Sequence, residues 1–238
     1  MLALSPLRVP PPVVAAASGV AGVAAAVELG RGELLAAAII LQVKTVLDNA
    51  DGQLARLTGR TSAFGRYLDS ELDLLVDAAL FAALGWYTGR PALALAGFLA
   101  LTAVLSVNFN AERLRRAALG ETRPAMPEGG GRATALLRRV YALVYAPQDR
   151  LVEAFVARRL REATGTQRRA YHDPRTVALL ANLGLSTQLA GLGVFLAAGR
   201  PLLFAWLALA ELGVVAVLVV RRELRLRTAA PHPNQEVA

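Results

Sequence analysis

The sequence predicts an all-α, polytopic membrane protein with six transmembrane helices and a cytoplasmic amphipathic helix between the fourth and fifth. Three observations lead there: an apolar excess, a series of stretches of spanning length, and arginine placed almost wholly on one side. Of 238 residues, 55% are hydrophobic and 18% charged. Counted with Gly and without Tyr, the apolar share is about 61%, against ~45–50% for soluble domains. The net charge is +8, and Lys44 is the only lysine among 25 arginines. There is no Cys, and the only histidines are His172 and His232. Disulfides, thiolate metal sites and cysteine nucleophiles are thereby excluded, as is a multi-histidine metal site.

The first span is expected over Val9–Val27, opening on three prolines. Only Arg8 precedes it and no cleavage-type boundary follows, so it is read as a retained span rather than a secretory leader. The second, Leu34–Leu47, contains Lys44 and runs into Asp48; the third, Leu74–Thr88, contains Asp77. Pro91–Ala111 and Thr176–Gly199 carry no charge and meet the ~20-residue length of a spanning helix. The sixth, Pro201–Val220, contains Glu211, read as a buried structural group. With the N-terminus inside, 22 of the 25 arginines fall on the cytoplasmic side, leaving Arg31, Arg90 and Arg200 in short outer turns. Both termini are therefore expected in the cytoplasm of a cell-membrane protein.

The membrane domain covers residues 1–228, with a cytoplasmic insertion at about 114–174 and a disordered tail over 229–238. The insertion opens on a Gly/Pro-rich stretch, Gly120–Gly131, before a helix expected from Ala133 to Leu160. There Leu136, Leu137, Val140, Leu143 and Val144 recur near a 3.6-residue period among many arginines. Such a helix can lie on anionic lipid or pack on its own protein. The basic charge thus describes orientation and lipid contact, and no nucleic acid is expected as a partner.

Five of the seven aspartates, Asp48, Asp51, Asp69, Asp73 and Asp77, fall within thirty positions. Helical spacing places Asp48 with Asp51 (i,i+3) on one face and Asp69 with Asp73 (i,i+4) on another. Counted from the outer ends of their helices at 1.5 Å per residue, both pairs reach about 21–23 Å in, toward the cytoplasmic edge of the ~30 Å hydrocarbon layer. Carboxylates crowded there repel one another, and desolvation worsens the repulsion. Lys44 and Arg56 do not balance them. An all-oxygen donor set suits a hard cation such as Mg²⁺ or Mn²⁺. Pairing with Arg60, Arg66 or Arg175 at the interface would suit Asp77 or Glu71 singly, but not the whole set. Gly52 and Ala55 lie on the first of these helices and Gly65 just ahead of the second pair, where their small size leaves space against the backbone.

The pattern Asp48-x2-Asp51-Gly52-x2-Ala55-Arg56-x8-Gly65-x3-Asp69-x3-Asp73 resembles the signature of the CDP-alcohol phosphotransferases, with all eight positions present over 26 residues. The resemblance implies transfer of a phosphoalcohol group from a CDP-alcohol, most simply CDP-diacylglycerol, to an acceptor alcohol with release of CMP, in phospholipid synthesis. It further implies a two-metal site of Mg²⁺ (or Mn²⁺) on Asp48, Asp51, Asp69 and Asp73, with Asp73 also the general base. Gly52, Ala55 and Gly65 would make room for the cytidine nucleotide, Arg56 would hold the pocket or pyrophosphate, and the protein would be a homodimer. Two bridging cations suit a displacement in which charge spreads over phosphoryl oxygens and leaving group.

For an acceptor or donor phosphate, Arg116 after the fourth span and Arg175 before the fifth are the candidates, both expected near the depth of the carboxylates. Asn108, Asn110, Asn182, Thr187 and Gln188 are polar positions within or near spans that either line a cavity or bond between helices. Two other functions use acidic intramembrane sites. A membrane prenyltransferase would need further helices and a second distant Asp motif, and a divalent-cation carrier would not need the Gly52, Ala55, Arg56 and Gly65 pattern.

Overall fold

The computed structural model describes residues 9–121 and 131–229, without the side chains of Ala63 and Ala133. Arg8, most of the Gly/Pro-rich stretch and residues 230–238, where a disordered tail was expected, lie outside the described residues. Every regular element among the described residues is helical: α1 (Pro11–Arg31), α2 (Leu34–Leu57), α3 (Ala63–Thr88), α4 (Pro91–Ala118), α5 (Arg132–Arg159), α6 (Gly165–Tyr171), α7 (Pro174–Ala181), α8 (Leu185–Ala197) and α9 (Leu202–Thr228).

The boundaries follow local chemistry. Helices α1 and α4 start with Pro in their first turn, where a missing N–H costs nothing. Ser62 caps α3, accepting from the Gly65 backbone N–H at 3.0 Å. The turns closing α1 and α3 use left-handed Gly32 (φ 86°) and Gly89 (φ 65°). The short Gly-Arg connections expected near Gly30–Arg31 and Gly89–Arg90 fall at these turns, which make α1–α2 and α3–α4 helical hairpins.

One apolar core joins the hairpins to α8 and α9, through Leu29, Leu41, Val76, Leu80, Leu84, Leu101, Leu189, Leu192 and Phe204. Close helix approach depends on missing side chains. A Cβ on Gly22 would meet Val76 at 2.5 Å, and one on Gly97 would meet the Phe81 ring at 2.8 Å and the Ala205 Cα at 3.0 Å. The outward face is also apolar, with Val20, Val46, Leu99, Val194, Trp206 and Val217 exposed. An apolar exterior of this kind has lipid, not water, as its solvent.

Among the described residues, four stretches are long and apolar enough to cross a membrane: Pro11–Arg31, Pro91–Ala118, Gly165–Ala197 and Leu202–Thr228. The other two expected spans are the charged helices α2 and α3, each of which is longer than the apolar run that announced it. Helix α2 has 24 residues, about 36 Å at 1.5 Å per residue.

Two features differ from expectation. The fifth span was expected as one run over Thr176–Gly199, but it is split into α7 and α8 at Asn182–Gly184. Asn and Gly are weak helix formers. Asn182 turns its side-chain amide back to the Ala178 carbonyl at 3.0 Å, while Gly184 is extended and caps α8. Helix α6 was not expected at all, although its signal was in the sequence as Thr164-x2-Gln167, which forms a capping box.

Helix α5 packs on its own protein. Tyr145 donates to the Ser70 carbonyl on α3 (3.2 Å), and Tyr141 packs edge-on against Tyr67. Asp149 accepts from Asn110 on α4 (2.6 Å), and Arg113 pairs with Glu153. Leu136, Leu143, Leu151 and Phe155 of the same helix remain exposed.

Candidate active site

Helices α2 and α3 bring their carboxylates together beneath the buried crossing of α1. One oxygen each from Asp48, Asp69 and Asp73 lies within 4.8 Å of the others. The i,i+4 spacing puts Asp69 and Asp73 on the face of α3 that meets Asp48. Asp51 lies one turn on from Asp48, buried, and its Oδ2 has no hydrogen-bond partner among the described residues.

Among the described residues, the one cation hydrogen-bonded within this group is Lys44. Its side chain is 1% exposed, and its Nζ donates to Asp48 Oδ1 at 2.7 Å and to Asp73 Oδ1 at 2.6 Å. From α1, Ser18 donates toward Asp48 Oδ1 (3.3 Å) and the Lys44 carbonyl (3.2 Å). Lys44 thus clamps α2 to α3, engaging one oxygen of each partner carboxylate. Against it stand four carboxylates, with Asp77 buried one turn further along α3. One lysine does not compensate such a set in a low-dielectric interior.

The residues present fit a divalent cation. The donors are oxygen only, three carboxylates already converge, and a fourth holds a buried, unpartnered oxygen. Asp48, Asp51, Asp69 and Asp73 would hold the ion or ions.

The small residues flank open space. A Cβ on Gly52 would meet nothing but its own helix's Arg56 guanidinium, at 3.4 Å, and one on Gly65 would meet only Ser62 Oγ, at 3.3 Å. Neither glycine is there to let two helices touch, in contrast to Gly22 and Gly97. Ala55 is half-buried and Arg56 exposed at the end of α2.

Arg116 is taken up by Glu112 in an i,i+4 ion pair. Arg175 is exposed at the start of α7. Neither lines the nearby basic cleft of about 200 Å³, whose walls include Arg115, Arg169, His172 and Pro174. The polar positions within the spans mostly bond between or along helices: Asn110 to Asp149, Asn182 to the Ala178 carbonyl, and Gln188 to Glu211 at 2.6 Å. The last contact satisfies the buried Glu211 carboxyl and supports its structural reading.

Lys44 was expected beside the carboxylates, one turn before Asp48, and the contact follows i,i+4 spacing; two other side chains near them were not singled out from the sequence. Ser18 and Tyr145 carried no local signal, since each reaches the site only through packing. Tyr145 lies close enough to Asp77, Asp73 and Glu71 to feel their charges, and burial first, then those charges, push its hydroxyl well above the usual tyrosine range.

Fold and site together define a helical membrane protein with a half-buried carboxylate centre suited to a divalent cation. The chain belongs to the CDP-alcohol phosphatidyltransferase family, whose model matches residues 10–165. It is 30% identical to an archaetidylinositol phosphate synthase of Aeropyrum pernix over 58% of this chain and 69% of that one. It is 42% identical to a phosphatidylinositol phosphate synthase of Streptomyces avermitilis over 30% of each chain. Identity to a bifunctional IPC transferase and DIPP synthase of Thermococcus kodakarensis is 40%, over 34% of this chain and 19% of that one. In the last two relatives the match spans only about a fifth to a third of their length. No solved structure matches the chain.

Proposed function

We propose that this protein transfers a phosphatidyl group from a CDP-alcohol, CDP-diacylglycerol in the simplest case, to a phosphorylated polyol of the inositol phosphate type, releasing CMP. The observation that carries the reading is the convergence of Asp48, Asp69 and Asp73 around a single lysine. Family membership supports the donor class, and the names of the Streptomyces and Aeropyrum relatives support the acceptor class.

In this reaction an acceptor hydroxyl oxygen attacks the phosphorus bearing the lipid alcohol. The bond from that phosphorus to the bridging oxygen breaks, and CMP leaves with the electron pair. The hydroxyl proton passes to Asp73, whose Oδ1 is held by Lys44 and whose other oxygen remains for the proton. Lys44 fixes the orientation of Asp48 and Asp73, which matters because a carboxylate is a weak base that depends on position. Two divalent cations, Mg²⁺ or Mn²⁺, held by the four aspartates would stabilise negative charge on the phosphoryl oxygens and the leaving CMP. Gly52, Ala55 and Gly65 leave room for the cytidine nucleotide along α2 and α3, with Arg56 at the rim. Arg175 is the better placed of the two arginines for an acceptor phosphate, since Glu112 holds Arg116.

The proposed topology has six spans, α2 and α3 included, with both termini cytoplasmic. The carboxylates then sit near the cytoplasmic face, where a water-soluble nucleotide can meet a lipid. Purified full-length protein with Mg²⁺, a panel of CDP-alcohol donors and inositol phosphate, glycerol 3-phosphate, inositol or serine should release CMP fastest with a phosphorylated acceptor. Asp73→Asn should lower that release by about 10²–10⁴-fold, the range for loss of a general base. No CMP release from any donor and acceptor pair, or undiminished release by Asp73→Asn, would overturn the reading.

A further inference from the structure

Helix α5 has two faces, and the protein covers one of them. The inner face carries Tyr141, Tyr145 and both acids of the helix, Asp149 and Glu153, which are taken up by Asn110, Tyr141 and Arg113. The outer face carries Leu136, Leu143 and Leu151, which are 62%, 78% and 72% exposed. At 3.6 residues per turn these leucines fall within about 80° of one another. Arg132, Arg139 and Arg150, spaced by seven and then eleven residues, form a second line about 60° round the helix from them. All three arginines are exposed, and none forms an ion pair among the described residues.

The helix lies where two spans end. Glu153 pairs with Arg113 on α4, Arg159 pairs with Glu223 on α9, and Leu160 packs with Leu114 and Leu226, all close to the C-terminal ends of those helices. Both α4 and α9 are long and apolar enough to cross a membrane, so α5 runs across the level at which they leave the hydrocarbon layer. On its leucine side, Leu151 and Phe155 lie alongside Val107 and Val219, in the apolar stretches of those spans. Leucines left this bare are poorly suited to water, whereas a headgroup layer takes an apolar face on one side and arginine on the other. A line of unpaired arginines beside that face favours a negatively charged surface. It also disfavours a second copy of this chain, because a two-fold contact through the face would set like charges together with no carboxylate between them.

We propose that the outer face of α5 is seated in the headgroup layer of an anionic membrane leaflet, with Leu136, Leu143 and Leu151 at the top of the acyl region and Arg132, Arg139 and Arg150 against the acidic headgroups. The helix then joins the lipid surface to α3, where its inner face holds the Ser70 carbonyl beside Asp69. The depth rests on α4 and α9 as spans, and the choice of the cytoplasmic leaflet rests on the proposed topology. Neither depends on the transfer reaction or its substrates.

The chain has no cysteine, so a fluorophore can be placed at a single position of the full-length protein through Leu143→Cys, Ala142→Cys or Val217→Cys. The labelled protein is reconstituted into vesicles of phosphatidylcholine and phosphatidylglycerol in equal parts, with a nitroxide quencher on the acyl chain of one lipid or the other. The label in Leu143→Cys should be quenched from the bilayer and more strongly by the phosphatidylglycerol nitroxide, with a local enrichment on the order of 5-fold per arginine in contact. Adding Arg139→Gln and Arg150→Gln should bring the two lipids toward equal quenching. Ala142 is exposed on the flank away from the leucines, and its label should respond to water-soluble acrylamide instead. Val217, 67% exposed on α9, should be quenched equally by both lipids. Lipid quenching at Val217 but not at Leu143 would overturn the proposal, as would equal quenching of Leu143 by the two lipids or an unchanged preference after the arginine substitutions. Protection of Leu143 from both lipid and acrylamide would overturn it as well, since a second copy would then cover the face. No lipid quenching at either position would take α9 out of the bilayer, and the proposal with it.

Discussion

Two groups of carboxylates in this chain are built in opposite ways. Asp173, at the corner before α7, is saturated: it caps a helix, accepts from a threonine hydroxyl and lies beside Arg225. Asp149 is similar, accepting from Asn110 on one oxygen and Tyr141 on the other. The group between α2 and α3 is left short. Asp48, Asp69 and Asp73 crowd together with one lysine, and a buried oxygen of Asp51 has no partner. Burial alone therefore does not separate the two groups, since Asp173 is as buried as Asp51. Unmet demand for positive charge does.

The largest expected effect breaks the comparison at its unsatisfied side. Asp69→Asn removes one of the three converging carboxylates without removing a fold contact. CMP release should fall by more than the ~10–100-fold typical of losing an outer-shell partner of a metal ligand. In metal-free buffer its Tm should equal or exceed that of the unaltered protein, because like-charge repulsion has been relieved. Added Mg²⁺ should raise the Tm of the unaltered protein and raise that of the variant less. A variant that lost stability while keeping both activity and the Mg²⁺ shift would show that Asp69 is a structural acid like Asp173.

The satisfied side predicts the reverse. Asp173→Ala deletes an N-cap and an ion-pair partner, so it should cost about 1–2 kcal/mol, lowering Tm by roughly 2–8 °C in a chain of this size. Turnover per folded molecule should be unchanged. A large loss of turnover at constant Tm would place Asp173 in the reaction.

The same distinction explains what could be read from the sequence. The Asp48 to Asp73 pattern was legible because helical periodicity fixes which carboxylates share a face, and both helices could be anchored at their outer ends. The hairpins were legible from Gly-Arg turns and apolar runs. The break at Asn182–Gly184 was not, because hydropathy sees the apolar side chains and not the backbone that Gly184 and the Asn182 amide redirect. The roles of Arg116 and Arg113 were also hidden, since their partners Glu112 and Glu153 are surface acids with no pattern of their own. The arginine excess hid one arginine unlike the others: nothing in the tail of α9 marks Arg222 as buried and Arg225 as paired.

Tyr145 links the two regions, and its substitution should have the smallest effect. Its hydroxyl donates from α5 to the Ser70 carbonyl on α3, one residue from Asp69. Tyr145→Phe removes that bond and should cost about 0.5–1.5 kcal/mol. Burial holds the Tyr145 and Tyr141 hydroxyls well above the usual tyrosine range, so both stay protonated through neutral pH. The folded chain then binds these protons more tightly than the unfolded chain. Stability is full below the ordinary tyrosine value near 10 and falls as pH rises beyond it. Between pH 6 and 9 neither tyrosine contributes a slope, and Tyr145→Phe should lessen only the alkaline loss, Tyr141 retaining its share. The pH profile of CMP release over that neutral range should be the same in the variant. A shifted profile would mean that the Tyr145 hydroxyl takes part in the proton's path to or from Asp73, which would make α5 part of the reacting centre and not only the strut that steadies α3.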